Sequence, residues 1–509
     1  MSAEFPSMIP YYLVAGFVGW VTYEWYLFTS ARNKLSAIPT VGSDSFIVAY
    51  ISAWKYVFSG RKMVQEGYEK YPNGIFKVPS LETPSRWIVV VNGQKLIQEI
   101  KDGHDNIFSA TEHFNDILQI RHIWGAEEAS KDQYHVHSIA NGLTRNLTAR
   151  FPDIIDEVEQ SFTDEIPISD EWVTYQVQKA IAPVTCRTAN RLFVGMPLCR
   201  DQEYLDIQQN FAVSLMVSVT IVNLVPDFMK PIVGKLVTTF PKTIKKVIRI
   251  MKPMLEHRLQ MEEEHGKRWD GRPNDMISWL LDHAPPEYRT VEDLATRILV
   301  INFAAIHTTT MTVTNAVFDL ILHPEYIEPL RQEIGELVDT YGWTKEAASK
   351  MCKLDSFLKE SSRVGGIASI SMARKIMEDY TFSNGVTVPA GASVSAAAHP
   401  IHQDPTVYSD ASTFDGFRFS EKRKNGSDEY QQFKHQLITP TNDYLLFGWG
   451  RHACPGRFFA VNEAKCMVAH LILTYDIKLP PDAPPPTHTW FGSQRLPSSA
   501  SIMFRKRQR

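Results

Sequence analysis

The chain has 509 residues, a formal charge of −4, 44% hydrophobic residues and 22% charged ones. That length suits one large enzyme or two to three ordinary domains, and the near-neutral balance argues against nucleic acid as a partner. Five cysteines (Cys186, Cys199, Cys352, Cys454 and Cys466) are odd in number, widely spaced and without a CxxC pair, which argues against a disulfide scaffold or a zinc knuckle.

The first element is "MIPYYLVAGFVGWVTYEWYLF", Met8 to Phe28, with Glu24 as its one charge. About 20 apolar residues in a helix cross a ~30 Å hydrocarbon layer. Arg32 and Lys34 follow it and no Lys or Arg precedes it. The positive-inside rule then predicts a lumenal N-terminus and a cytosolic body. A cleaved signal peptide would start with a basic region, yet only Glu4 is charged there. Residues 1–30 are expected to be a membrane anchor, 31–45 a proline/glycine hinge, and 46–509 the body.

Along the body, "GIFKVPS" and "RWIVVVNG" predict two strands closing at Asn92-Gly93. "QKLIQEIKDG" predicts a short helix stopped by glycine. Residues 104–133 show no regular pattern. From 134 to about 380 the periodicity is mostly helical, with breaks at "GMPLCRDQ", "NLVPDF" and "DHAPPEYRT". Short strands and turns are expected over 381–420, a long helix after Cys454, a loop over "LPPDAPPPTHTWFGS" and a last strand at "ASIMFRKR".

Cys454 lies in "FGWGRHACPG", at the start of that long helix. Unpaired N–H groups and the macrodipole there favour a thiolate. Gly450 and Gly456 remove side chains on either side, so a flat, bulky group can approach. A shielded thiolate facing open space suits an axial ligand to haem iron. A nucleophile with His452 as its base, or a buried core cysteine, are the competing readings of this cysteine.

The pattern F-x-x-G-x-x-x-C-x-G, formed by Phe447, Gly450, Cys454 and Gly456, resembles the haem-binding signature of the cytochrome P450 family. Three further pieces follow that family's order. "ESSR" (Glu360 to Arg363) resembles its E-x-x-R helix. "FDGFRF" (Phe414 to Phe419) is similar to its F-x-P-x-R-F segment, with Gly416 in place of proline. "AAIHTT" (Ala304 to Thr309) resembles its A-G-x-D/E-T-T stretch.

The resemblance implies a mainly α fold with small β-sheets, preceded by a single N-terminal transmembrane helix, and a haem b cofactor held by the Cys454 thiolate. It implies that Phe447, Gly450, Arg451, His452, Gly456 and Ala304 surround the cofactor. Thr308 becomes the proton-delivering hydroxyl, with His307 in the place of the usual acid. Glu360, Arg363 and Arg418 become a buried structural set. Propionate partners are expected at Arg374 and at His452 with Arg451. The family's W-x-x-x-R helix is missing; in "YHVHSIANGLTRNL", His135 stands in for the tryptophan and no arginine follows at the required spacing.

The implied activity is that of a membrane-anchored haem-thiolate monooxygenase. It would use O2 and electrons from NADPH–cytochrome P450 reductase, with cytochrome b5 as an optional second donor, at the endoplasmic reticulum membrane. "AAIHTT", "GRHACPGRFFA" and "LTRNL" resemble fungal members that oxidise terpenoids in secondary metabolism. Pocket walls are expected at Phe108–Leu118, Phe303–His307, Ile367–Met372 and Trp490–Phe491, largely apolar as a hydrophobic small-molecule substrate requires. The alternatives are a reductase-independent isomerase or dehydratase on the same haem, and a membrane-tethered binding protein whose cysteine is structural.

Overall fold

The computed structural model describes residues 9–124, 132–426 and 428–508. The first eight residues of the expected anchor therefore lie outside the described residues. Helix α1 spans Ile9–Lys34 and α2 Phe46–Lys70. Strands β1 (Ile75–Pro79) and β2 (Trp87–Val91) pair antiparallel, followed by α3 (Gln94–Asp102), which stops at Gly103 as its sequence predicts. The stretch read as irregular instead holds β3 (Phe108–Ser109), α4 (Ala110–Ile117) and α5 (Ile120–Ile123). These pieces are too short for periodicity to reveal, and β3 and α4 take shape against a strand far away in sequence.

Next come α6 (Tyr134–His137), a π-helical turn (Ser138–Leu143), α7 (Thr144–Glu165), β4 (Val173–Gln176), α8 (Val177–Phe193) and α9 (Gln202–Asn223). The helical body continues with α10 (Lys230–Val237), α11 (Phe240–His265), α12 (Met276–His283), α13 (Val291–Leu322), α14 (Ile327–Tyr341), α15 (Lys345–Lys350) and α16 (Cys352–Gly365). Then follow β5 (Ser371–Ile376), β6 (Tyr380–Thr381), β7 (Thr387–Val388), β8 (Ser393–Ala396), α17 (Ala398–His402), α18 (Arg418–Lys424) and α19 (Glu429–Lys434). The chain ends in α20 (Arg457–Thr474), β9 (Tyr475–Lys478), β10 (Trp490–Phe491), β11 (Gln494–Arg495) and β12 (Ser501–Lys506). The architecture is mainly helical with small sheets, as expected.

The 32-residue helix α13 is the axis of the body. Thr290 caps it by accepting from the Asp293 N–H, and Glu292 and Asp293 complement the dipole of its first turn. It is apolar on nearly every side because α8, α9, α11, α16 and α20 pack around it. The largest sheet has the order β1-β2-β8-β5-β3, with β2 and β8 parallel and every other pair antiparallel. A register shift between Ser371 and Arg374 lets β5 re-aim its side chains. β12 joins β4 to β9, so the last strand pairs with one more than 300 residues earlier.

Residues 35–41, read as part of a hinge, are bound to β1: Lys77 N–H donates to the Pro39 carbonyl at 2.9 Å, and its ammonium donates to the Leu35 and Ile38 carbonyls at 3.0 and 2.6 Å. The early turns of α1 are exposed, with Tyr11 and Tyr12 at 73% and 69%. Its later turns dock on the body, where Glu24 pairs with Arg86 at 3.0 Å and Phe28 meets Trp87. Among the described residues, the one helix long and apolar enough by composition to cross a membrane is α9, and 44% of that stretch is buried in the protein.

Candidate active site

The loop before α20 is built by tight backbone bonds. Cys454 N–H donates to the Phe447 carbonyl at 2.8 Å, closing an eight-residue turn, and Gly448 and Gly450 take φ of +67° and +79°. Left-handed backbone of this kind favours glycine. Gly450 also meets Lys101: an added Cβ would sit 2.5 Å from its Cγ. The bare Cα of Gly450 thus accommodates α3. A Cβ at Gly456 would meet only Ile139 of the π-turn, at 3.9 Å.

The Cys454 sulfur sits at the start of α20, beside the N–H groups of Gly456 and Arg457. Burial pushes the thiol up; those two N–H groups and the Arg457 charge act against it. Arg457, which the sequence reading passed over, donates to the Cys454 carbonyl at 2.9 Å. The remaining cysteines differ. Cys186, Cys199 and Cys466 are buried and burial holds each as a thiol. Cys352 also opens a helix, but Glu333 already accepts from the N–H groups of Lys353 and Leu354 there, at 2.7 and 3.0 Å, so a carboxylate occupies that helix start.

Helix α13 is buried along most of its length, yet Ala304 and Thr308 are exposed. Four residues apart, they form one exposed strip along the helix. The Thr308 hydroxyl donates to the Ala304 carbonyl at 2.9 Å, which leaves its lone pairs toward that exposed side. His307 faces another way. Its Nε2 lies 3.2 Å from the Gln209 carbonyl of α9, and burial pushes its pKa down, so it is neutral and donates there.

The expected cations divide into two groups. His452 and Arg451 both reach Asp105, at 2.6 and 3.5 Å, and Arg451 also donates to the Gly103 carbonyl. Arg374 is buried at 5% exposure, and its Nε has no hydrogen-bond partner. A buried guanidinium left short of acceptors is a place prepared for an anion. His135 lies 3.0 Å from Arg297, a buried arginine of α13 that motif spacing could not reveal.

Glu360, Arg363 and Arg418 come together in the interior. Arg363 Nε and Nη2 reach the two Glu360 oxygens at 2.7 and 2.8 Å, and Arg418 Nε reaches Oε1 at 3.1 Å. Arg363 also donates to the His402 and Ala411 carbonyls at 2.5 and 2.8 Å, tying α16 to the segment that leads to the cysteine loop.

In three of the expected pocket walls a named residue is held by packing. Phe108 is core, packed on Tyr380 with ring centroids 4.7 Å apart, and Met372 is buried in the same sheet cluster. Trp490 is held between His399 and Arg61. Phe303 instead joins Trp124, Phe211 and Phe240 in an aromatic group beside the Ala304 strip. A surface cavity of about 870 Å³ between α7, α8 and α11, lined by Arg150, Arg191 and Met254 among others, includes none of the expected site residues.

A flat, dianionic group with an iron at its centre fits these residues. A thiol supported by two N–H groups stands at one side, a strip of small side chains opens the wall of a core helix, and Arg374 offers an unpaired buried donor.

A family model described as Cytochrome P450 matches residues 50–504. The chain is 39% identical over 485 residues to Cytochrome P450 monooxygenase 103 of Postia placenta, covering 95% of this chain and 96% of that one. It is 37% identical over 508 residues to monooxygenase 151 of the same fungus, covering 99% of each. It is 32% identical over 490 residues to Cytochrome P450 monooxygenase paxQ of Penicillium paxilli, covering 94% and 93%.

Proposed function

The chain belongs to the cytochrome P450 family, a haem-thiolate monooxygenase, and on that premise we propose that Cys454 is its axial thiolate and a hydrophobic small molecule its substrate. The observation that carries the assignment is the glycine-shaped loop closed by the Cys454 N–H on the Phe447 carbonyl at 2.8 Å, which sets the sulfur at the start of α20 beside the N–H groups of Gly456 and Arg457. They stabilise charge on sulfur without neutralising it, which suits a ligand that must stay anionic.

When bound, haem supplies O2 activation and the oxidation of an unactivated C–H bond. The protein's own residues divide the remaining work. Arg374 would hold a propionate, with His452 and Arg451 near it through Asp105. Ala304 leaves room over the cofactor plane. Thr308, with its lone pairs toward the open strip, holds a water in reach of the reacting centre. Phe303 and its aromatic neighbours give the substrate an apolar wall.

A terpenoid of fungal secondary metabolism is the substrate class that fits the apolar wall and the kinship with the fungal enzymes above. Electrons would come from NADPH–cytochrome P450 reductase, with cytochrome b5 as an optional donor. The setting we assign is the endoplasmic reticulum membrane, with a cytosolic body. The exposed aromatic face of α1 supports an anchor there, and so does a neighbouring apolar surface: Ile232 and Leu236 of α10 are exposed, and Phe228 just before it meets Tyr23 of α1 edge to face. Expression beside a reductase, with product analysis on terpenoid panels, tests the substrate class. The spectrum of the reduced protein under carbon monoxide tests the ligand: a far-red Soret band requires thiolate ligation.

A further inference from the structure

The helix that should carry W-x-x-x-R has neither residue, and it is irregular. α6 passes into the π-helical turn Ser138–Leu143, with no arginine after His135 until Arg145. One face of this segment is fixed on α12. Ser138 donates to the Trp279 carbonyl at 3.1 Å, and a Cβ on Gly142 would come within 2.5 Å of the Trp279 side chain. His135 and, one turn later, Ile139 line up along one side of the segment, and Ile139 is the one side chain that a Cβ built on Gly456, beside the cysteine, would meet, at 3.9 Å. His135 is thus on the side of the segment that looks toward the cysteine loop.

Its imidazole is held from behind by α13. Arg297 is fully buried, pairs with Asp293 at 3.2 Å, stacks over Tyr134 at 4.5 Å and donates to the Asp132 carbonyl at 2.6 Å. Its Nη1 lies 3.0 Å from His135 Nδ1. A guanidinium can only donate, so Nδ1 must accept, and the proton of the neutral ring is on Nε2. Burial, with the Arg297 charge behind it, pushes His135 down to about 4, which keeps the ring neutral.

We propose that Arg297 replaces the missing helix arginine as a positioning residue, fixing His135 as an Nε2–H donor to a haem propionate. The inference rests on the haem-thiolate reading of Cys454. A propionate beside the cysteine loop would then receive a directed neutral hydrogen bond from the α6 side, while the charge that fixes its direction stays one residue further back.

The test uses full-length, haem-loaded protein in detergent, with two readouts: the propionate-bending band in resonance Raman spectra, and the rate of haem transfer to apomyoglobin. His135→Phe should shift the band and speed haem transfer by about tenfold or more, the loss expected for a hydrogen bond to a charged acceptor. His135→Gln keeps an N–H donor of similar reach and should restore most of the retention. The charge-balanced pair Arg297→Met with Asp293→Asn should shift the band with His135 intact. If that double variant loses stability but leaves the band in place, Arg297 is structural only and the proposal fails. It fails also if His135→Phe, with its thiolate Soret band intact, leaves both readouts unchanged. Absence of that Soret band from folded, haem-loaded wild type would remove the underlying reading together with the proposal.

Discussion

His307 Nε2 lies 3.2 Å from the Gln209 carbonyl, so the residue in the place of the usual acid ties α13 to α9 and faces away from the strip of Ala304 and Thr308. His307→Ala should lower stability by roughly 1 kcal/mol, one hydrogen bond's worth. It should leave the ratio of hydrogen peroxide to product unchanged. Thr308→Ala should still bind haem and substrate but divert NADPH electrons into peroxide, because the hydroxyl proposed to hold the proton-bearing water would be gone. Measuring NADPH, peroxide and product together separates the two residues. Raised peroxide in His307→Ala would make the imidazole a relay.

Cys454→Ser should lose the far-red Soret band of the reduced carbon monoxide complex and the oxygenase activity. Serine versions of Cys186, Cys199, Cys352 and Cys466 should keep that band. Cys352 is the informative control, since it also begins a helix but has the Glu333 carboxylate beside it. Loss of the band in Cys352→Ser, in protein that remains folded, would sink the Cys454 assignment.

The set around Glu360 is a stability prediction. Arg363 and Glu360 are both fully buried, so Glu360→Gln leaves two buried guanidinium groups without a counter-charge. The cost should be about 3–5 kcal/mol, the range for breaking a buried ion pair from one side. Chemical denaturation of the haem-loaded protein measures it. Arg363→Lys should also be costly, because one ammonium cannot reach Glu360 and the His402 and Ala411 carbonyls together. Near-native stability of either variant would deny the set its structural part.

The sequence made legible what is local. Strands β1 and β2 rest on a short apolar run before Asn92-Gly93, α3 on a periodic run before Gly103, and the cysteine loop on closely spaced glycines before a helix. What it hid depends on partners distant in the chain. β4 is a polar, half-exposed stretch that becomes a strand because Val173 pairs with Phe504. Arg297 reads as one charge on an apolar helix until α6 brings His135 to it, and Asp105 reads as loop until His452 reaches it. Gly450 was legible as a required glycine, but its neighbour Lys101 was not.

Helix α1, the proposed anchor, is joined to the body by a charge pair, which makes truncation informative. Glu24 is buried against Arg86, whose Nη1 also donates to the Asn223 carbonyl at 2.9 Å. Deleting residues 1–20 should release the protein from membranes at least in part and leave this pair intact. Deleting residues 1–30 removes Glu24 and should lower thermal stability further, by about 3 kcal/mol or more from the unpaired Arg86. Equal stability of the two truncations would show that the pair contributes nothing. Orientation has its own test at Asn425, whose sequon ends at Ser427, outside the described residues: a cytosolic body should carry no sugar there.

The last prediction concerns acid. His402 is buried beneath the cysteine loop, and the Leu445 N–H donates to its Nε2 at 2.9 Å. That nitrogen must stay unprotonated to accept. Burial first, then the charges of His399, Arg363 and Lys359, push its pKa well below the usual histidine value. In the unfolded chain His402 takes up a proton near pH 6.5. Below that pH the unfolded state binds more protons than the folded one, so stability rises with pH across this window and falls as acid is added. The contribution is up to about 1.4 kcal/mol per pH unit for one such group. His402→Gln keeps a carbonyl acceptor for Leu445 and cannot titrate. Denaturant midpoints measured from pH 7 to pH 5 should fall less steeply in this variant than in the wild type, with the loss of the Soret band following the same order. Parallel slopes in the two proteins would assign the acid sensitivity to other groups, His399 first among them, since burial pushes that ring down to about 3.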